Sequence, residues 1–475
     1  MKQLKNSEAV VVGSGPNGLA AAIRLAQAGM AVTVFEAADT PGGGVRSADL
    51  LFPGVTHDIC SSVYPMAVCS PFFRTLPLLE YGVEWVNPPI AAAHPLDDGS
   101  AAILETSLAA TAEALGPDGP AYTRLIKPLV DRWQDLLEDS LTPLHMPRNP
   151  FLMAKFGLAG LQPATALATS RFKTTAGKAL FAGLAAHSML PLEFWGTSAP
   201  ALVLAMTAHV AGWPFVRGGA QNLTTALVRC LEKLGGKVIT GNRIDSLEQL
   251  PADCLVLLDV TPRQLLRIAG ERLAPDYRRK LESYKYGVGS FKIDWVLDQP
   301  VPWIADACRR AGTVHIGGSL NEISGSESTA WQGSATSKPF VLFAQPTIFD
   351  PSRAVSGKHA AWGYCHVPNG FSGDMTAAIE AQIERFAPGF GKTILARHVM
   401  TPADLERHNP NLVGGDIGGG AAVLSQLFLR PTASLYKTSL PNVFLCSSST
   451  PPTAGVHGMC GFNAAEAALV WAKRN

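Results

Sequence analysis

Ala9-Val10-Val11-Val12-Gly13-Ser14-Gly15-Pro16-Asn17-Gly18 is the stretch on which the fold turns. Three β-branched residues behind an alanine predict a short, buried parallel strand. The glycine loop follows without a spacer, and the alanine-rich run Leu19 to Gly29 predicts an amphipathic helix ended by Gly29. Ala31-Val32-Thr33-Val34-Phe35 predicts a second strand, which closes on Glu36. In this frame Gly13 permits the tight turn, Gly15 removes a side chain where the backbone approaches a pyrophosphate, and Gly18 lets helix and strand pack closely. The helix N-terminus offers free N–H groups and a positive dipole end to the phosphates. Glu36 stands where a carboxylate accepts hydrogen bonds from ribose hydroxyls, and it disfavours the 2′-phosphate of NADP. A glycine-rich turn without a ligand is the alternative; the strand before the loop, the helix after it and the acid ending the next strand favour the dinucleotide site.

Working outward, the chain of 475 residues is too long for one compact core, so two domains, or one with a large insertion, are expected. Hydrophobic residues make up 47% and charged residues 16%, against about 25% charged in an ordinary soluble protein. A net charge of +1 leaves no basic surplus to hold nucleic acid. The eight cysteines form no C-x-x-C pair and no Cys/His zinc spacing. They read as buried thiols of a reduced compartment, and no metal site is expected. Met1 to Glu8 is short, polar and lysine-bearing with a strand directly behind it, so no secretory signal and a cytoplasmic location are expected. Phe194 to Val216 carries no Asp, Glu, Lys or Arg and is long enough to cross a bilayer. Gly196, Pro200, His209, Gly212 and Pro214 burden such a span, so a buried helix beside an apolar cavity is expected instead. Asn149 to Ser170 holds only Lys155 as charge. The two segments together predict a surface that lies on a membrane without crossing it.

The second decisive region is the carboxyl end. Asn442-Val443-Phe444-Leu445-Cys446 predicts a strand, Ser447 to Gly461 a loop rich in Ser, Thr, Pro and Gly, and Phe462 or Asn463 to Lys473 an alanine-rich helix. Strand, glycine loop and helix again aim a helix N-terminus at a bound group.

Two motifs carry a family resemblance. Glu36-Ala37 followed by Gly42-Gly43-Gly44-Val45-Arg46-Ser47 resembles the extended fingerprint of FAD oxidoreductases in the amine-oxidase and phytoene-desaturase group. In many members an Arg directly follows two glycines; here Gly44 takes that place and Arg46 lies two residues on. Thr450-Pro451-Pro452-Thr453-Ala454-Gly455-Val456-His457-Gly458-Met459-Cys460-Gly461 resembles the closing motif of phytoene-desaturase-like and pyridine-nucleotide-disulfide-oxidoreductase-domain-like flavoproteins, with Thr453-Ala454 where two glycines are common. Phe52-Pro53-Gly54 with His57-Asp58, Val216-Arg217-Gly218-Gly219, Asn409-Pro410-Asn411, Gly414-Gly415-Asp416 and Arg430-Pro431 extend the resemblance across essentially the whole chain.

The resemblance implies FAD as cofactor and an α/β fold: a discontinuous Rossmann-type FAD-binding domain with an inserted α+β substrate domain, of p-hydroxybenzoate hydroxylase and amine-oxidase type. Its FAD-binding pieces would be residues 1–75, 215–290 and 405–475. Residues 76–214 and 291–404 would form the substrate domain, with an apolar helical cap over 120–214. Ser290 to Val296 and Phe340 to Ala344 predict strands of that domain, and the Gly and Pro clusters of 311–339 predict a long loop or insertion. The expected cofactor shell comprises Gly13, Gly15, Pro16, Asn17, Gly18, Glu36, Ala37, Gly43, Gly44, Val45, Arg46, Ser47, Ile244, Gly455, Val456 and Met459. Ile244 falls where the family places a backbone contact to adenine, and the late helix would face the pyrimidine edge of the isoalloxazine, which gains negative charge on reduction.

For catalysis, flavin N5 accepts hydride, so the protein need only place a C–H bond over it. Ser290-Phe291-Lys292-Ile293-Asp294-Trp295 resembles the amine-oxidase segment whose lysine holds a water at N5; a strand lysine paired with an acid is the equal alternative. His57 and His457 flank the motifs as candidate acid–base groups, a hydrogen-bonded structural role being the commoner case. Asp58 reads as a turn or cofactor-shell residue, and Trp195 and Trp213 as core packing. The leading expectation is an FAD-dependent desaturase or dehydrogenase of an isoprenoid, polyene or acyl substrate, with oxygen or a quinone as electron acceptor. An amine oxidase ranks lower because no late aromatic pair is evident, and a redox-neutral isomerase or saturase, or a flavin-binding scaffold without turnover, remains open. A peripheral membrane contact and a homo-oligomer are compatible with this composition.

Overall fold

The first predicted strand, Glu8–Val12, sits in the middle of a five-stranded parallel sheet ordered Val443–Leu445, Leu255–Leu258, Glu8–Val12, Ala31–Phe35, Lys237–Ile239. The coordinates are a computed structural model that describes residues 8–251, 253–355 and 357–474; the lysine-bearing segment 1–7 lies outside the described residues. Val10, Val11, Leu257 and Leu258 are buried, as strands covered on both faces require. The strand order reverses between Glu8–Val12 and Leu255–Leu258, so their carboxyl ends, Gly13 and Asp259, open the crevice in which such sheets bind ligands.

Helix Pro16–Gln27 begins with Pro at its first turn and buries its Leu, Ile and Ala residues against the sheet. Helix Met459–Arg474 crosses it closely. A Cβ on Gly461 would stand 1.8 Å from the Asn17 carbonyl oxygen, so only glycine lets the two helix starts meet. The late helix begins at Met459, three or four residues before the predicted start.

The second sheet has seven strands ordered Ile394–Met400, Gly289–Leu297, His359–Val367, Val341–Ala344, Ala311–Ile316, Ile90–Pro95, Ala101–Glu105. Only the Ala311–Ile316/Ile90–Pro95 pair is parallel. One face carries Phe291, Ile293, Trp295 and Phe343 into a core with Ile379, Ile383 and Phe390. The other face carries Ser290, Lys292 and Asp294, because side chains alternate along a strand. Register sets Lys292, Tyr364, Leu342 and His315 in one cross-strand row, and Asp294, Trp362, Ala344 and Thr313 in the next.

Residues 119–211 supply helices Gly119–Val130, Trp133–Ser140, Pro150–Gly160, Ala164–Arg171, Thr175–Ala185 and Ser198–Ala211. The uncharged stretch 194–216 thus holds a 14-residue helix, and no helix among the described residues is long and apolar enough to cross a membrane.

The expected loop over 311–339 is overturned. It contains the strand Ala311–Ile316 and the helix Leu320–Trp331. Gly312 is a close-approach residue, not a turn: its Cβ would meet Pro88 Cγ at 2.4 Å. Ser319 and Glu322 form a capping box that starts the helix directly after the turn at Gly318. Trp195 is also not core; it is 62% exposed, whereas Trp213 is buried.

Candidate functional site

The two ends of the chain and the second sheet meet around one continuous cavity of about 1000 Å³. At one end lie Gly13, Gly15, Pro16 and Asn17, then Glu36 and Ala37, with Asn242 to Ile244 beside them. The Asn242 N–H donates to the Glu36 carbonyl at 2.8 Å, which fixes Ile244 at the Glu36 end. Along its length lie Gly43, Gly44, Val45 and Arg46, then Lys292, Trp362 and Tyr364, then Gly455 and Val456. At the far end the walls are cap residues, Met153 and Val203 among them.

The early loop has the cradle a pyrophosphate needs. Gly13 has φ +100°, and a Cβ there would stand 3.0 Å from the Asp259 carbonyl. Gly43, at φ +55°, would place a Cβ 3.0 Å from Gly15 Cα, so the two glycine loops oppose each other across the groove. The Glu36 carboxylate accepts from Ser14 N–H at 2.9 Å, Ser14 Oγ at 2.5 Å and Ala38 N–H at 2.9 Å. Arg46 donates to the carbonyls of Gly43 and His408, both at 3.0 Å, and pairs with no carboxylate among the described residues. Asn17 Oδ1, Ser290 Oγ, Thr313 Oγ1 and Trp362 Nε1 are buried without partners, and all four residues line the cavity. Unpaired buried polar groups are costly, so their concentration on one cavity marks it as a binding site. A long cofactor with phosphates at the glycine cradle and a polar ring near Ser290 and Trp362 fits these residues.

Not every expected shell residue reaches the groove. Gly18 lies beneath it, with its N–H on Asp259 Oδ2 at 3.0 Å. Ser47 turns to Asp58, donating at 2.7 Å. Met459 is buried and does not line the cavity.

Asp259 was not singled out in the sequence. It follows the strand Leu255–Leu258 and lines the cavity under the glycine loop. Burial pushes its carboxyl up from 3.8 to about 7, against the Gly18 N–H and aided by the Glu36 carboxylate. The folded state therefore holds a proton the unfolded chain has released. That stability is full below pH 3.8 and is lost as pH rises through about 7. Asp259→Asn keeps an acceptor for Gly18 and is expected to remove this slope. In urea unfolding, the wild type should lose on the order of 2–3 kcal/mol more than the variant between pH 5 and pH 8. Parallel profiles would refute the assignment.

Lys292 combines both readings of its motif. It lines the cavity, and its Nζ lies 2.5 Å from both Asp294 oxygens and 5.8 Å from the Trp362 ring centre. Burial alone would raise Asp294, yet Lys292, His398 and His57 hold it well below the usual carboxylate range. His57 is the buried neighbour of that pair, Nδ1 3.6 Å from Asp294 Oδ1, and does not line the cavity. His457 is also off the cavity: Nδ1 accepts from the Met459 N–H at 3.0 Å, and burial lowers the ring to about 4. Its geometry is that of a brace for the late loop.

Thr453 in that loop stands where the resembling flavoproteins commonly carry glycine. The residue keeps a glycine-like φ of +97°, a strained conformation for a β-branched side chain. Its Oγ1 accepts from the buried Arg430 at 2.6 Å, and Arg430 also holds Tyr284 and the Gly419 carbonyl.

A late aromatic pair is present after all. Trp362 and Tyr364 line the cavity from one strand, with centroids 6.0 Å apart and planes 13° apart. A molecule sandwiched between two rings needs about 7 Å at van der Waals contact. The pair is therefore a wall, not a cage.

Comparison with known proteins places this geometry. Residues 11–74 match the family of NAD(P)-binding Rossmann-like domains. The chain is 25% identical, over 96% of its length and 92% of the other, to pyridine nucleotide-disulfide oxidoreductase domain-containing protein 2 of Mus musculus. It is 26% identical to the phytoene dehydrogenase of Streptomyces griseus, covering 83% of this chain and 82% of that one. Among solved structures, a putrescine oxidase redesigned in its cofactor binding superposes with a TM-score of 0.62 at 15% identity, covering 99% of each chain. The fold is thus that of the amine-oxidase-type oxidoreductases with a Rossmann-like domain.

Proposed function

We propose that this chain, a homologue of the phytoene desaturases and of pyridine nucleotide-disulfide oxidoreductase domain-containing protein 2, is an FAD-dependent oxidoreductase that dehydrogenates an apolar substrate. The observation that carries the reading is the single cavity that begins at a dinucleotide cradle and ends among apolar cap helices. A nicotinamide dinucleotide alone would leave Gly455, Val456 and the sheet face at Lys292 without a role, whereas these cavity-lining residues would border the ring system of FAD.

In this reading Glu36 holds the adenine ribose, the Gly13–Gly18 turn and Arg46 hold the diphosphate, and Gly455 and Val456 border the ring. When bound, FAD supplies hydride acceptance at N5. The protein's part is to position and exclude. The cap helices keep water from the substrate, and the Trp362–Tyr364 wall fixes its approach. Asp294 holds the Lys292 ammonium at the cavity wall, where it orders a water or moves a proton during reoxidation by oxygen or a quinone.

Leu144, Phe151, Leu158, Trp195 and Phe428 are exposed large apolar residues, and Leu144 and Phe428 also line the cavity. Exposed apolar side chains, two of them on the cavity wall, suit delivery from a lipid surface, which supports a peripheral membrane contact.

A purified protein that is yellow, releases FAD on denaturation and is bleached anaerobically by an isoprenoid or acyl substrate is the expected result. Peroxide release with amines would move the assignment to amine oxidation, and double-bond migration without electron uptake would move it to isomerisation. A protein that binds nicotinamide dinucleotide and no flavin would sink it.

A further inference from the structure

The cap end of the cavity is not uniformly apolar. His187 is half-buried and lines it, with Nε2 3.2 Å from His315 Nε2. His187 Nδ1 has no protein partner among the described residues. Ser188 and Thr313 line the same end, and the hydroxyl of each is buried without a partner. Thr313 is itself 95% buried.

His315 holds His187 in place. It is fully buried against helix Thr175–Ala185 at Gly183, where any side chain would collide with its ring. Trp213 packs edge-on to His187 and tilted to His315, with centroids 5.9 Å from each. Burial, with a lesser contribution from His366, lowers His187 to about 3. The ring therefore meets a ligand as a neutral imidazole, and with Nε2 engaged by His315 its Nδ1 either accepts from a hydroxyl or donates to a carbonyl, according to the tautomer.

We propose that His187, with Ser188 and Thr313, anchors an uncharged oxygen function, a hydroxyl or carbonyl, at one end of an otherwise apolar substrate. The inference rests on the apolar-substrate reading above and narrows it: the ligand is a long molecule with a polar end, neither a pure hydrocarbon nor a short amine. Register sets the length. Lys292 and His315 stand in one row with Tyr364 and Leu342 between them, so they are three strand spacings, about 14 Å, apart. Leu342 and Tyr364 line the cavity between the two ends. A neutral imidazole facing a hydroxyl gives a hydrogen bond without burying a charge, whereas a carboxylate there would go unpaired.

The test uses the purified protein loaded with diphenylhexatriene, whose fluorescence reports occupancy without reference to flavin. Hexadecan-1-ol should displace it at about tenfold lower concentration than hexadecane, the ratio one buried hydrogen bond supplies. His187→Leu should bring the two competitors level with hexadecane affinity unchanged, and His187→Gln should restore part of the preference. Ser188→Ala, which leaves the ring in place, should reduce the ratio by about half and guards against a folding defect in the first variant. Equal displacement by alcohol and alkane in the wild type, or a preference that survives His187→Leu, overturns the anchor and leaves the apolar-substrate reading standing. Failure to bind diphenylhexatriene or either competitor overturns both.

Discussion

Gly18→Ala is expected to fold and to purify without FAD. A Cβ at position 18 would stand 2.1 Å from the Gly13 carbonyl oxygen and 3.0 Å from its carbon. Both are backbone atoms of the turn itself, so no rotamer change relieves the collision. The turn must open, which carries the N–H groups of the helix start away from the phosphate position and breaks the Gly18 N–H bond to Asp259. Overpacking of this kind costs about 3 kcal/mol, and because the strain falls on the cofactor-holding conformation, FAD affinity should drop roughly a hundredfold. Gly15→Ala should be milder: its Cβ meets the Asp259 Oδ2 at 2.7 Å, a side-chain atom that rotates away at the expense of one hydrogen bond. Gly325→Ala is the control. Gly325 lies within helix Leu320–Trp331 with nothing near its missing Cβ, so FAD retention should not change. The flavin-to-protein absorbance ratio after gel filtration, with FAD titration of the apoproteins, ranks the three. Stoichiometric flavin in Gly18→Ala would remove the cofactor from this loop.

The parts of the site that could be read in the sequence are those whose chemistry is local. Gly13 to Gly18 and Glu36 belong to consecutive elements, and their spacing fixes what they face. The closing loop was legible for the same reason, although helix Met459–Arg474 starts earlier than its alanine content suggested. Lys292 and Asp294 are two apart on one strand, so their pairing was an available alternative, but only the fold brings His57 and His398 to the same carboxylate. Asp259 carried a usable signal, an acid directly after a buried strand, since a parallel neighbour of Glu8–Val12 must end beside the glycine loop. The Trp362–Tyr364 wall and the Thr313–His315 ridge were hidden differently. Each is an i, i+2 pair whose meaning depends on which sheet face the strand presents, and the second lay where glycines suggested a loop.

What no local pattern announces is the joint between the two sheets, and Arg353→Ala is expected to be the most damaging substitution there. Arg353 is fully buried, between Asp58 at 2.5 Å and Asp350 at 3.0 Å, with a third bond to the Val216 carbonyl at 2.6 Å. Asp58 lies 295 residues away in sequence and also accepts from Ser47, Ser62 and the Ala220 N–H, while Asp350 accepts from the Gly218 N–H. One guanidinium thus ties the hairpin after the glycine cradle, the Val216–Ala220 turn and the loop before strand His359–Val367. Removing it leaves the Asp58 and Asp350 carboxylates buried without their shared guanidinium, a change worth about 3–5 kcal/mol. Arg353→Lys keeps the charge but cannot make three bonds in one plane, so it should recover only part of the loss. Because Ser47, which donates to Asp58, directly follows Arg46, the loss should be larger for apoprotein than for holoprotein only if cofactor stabilises the joint independently. Denaturation with and without added FAD measures that difference. A variant within 1 kcal/mol of wild type in both states, inside the range of an ordinary surface substitution at about ±0.5 kcal/mol or slightly beyond it, would show that the carboxylates have found another partner and that the joint does not depend on this residue.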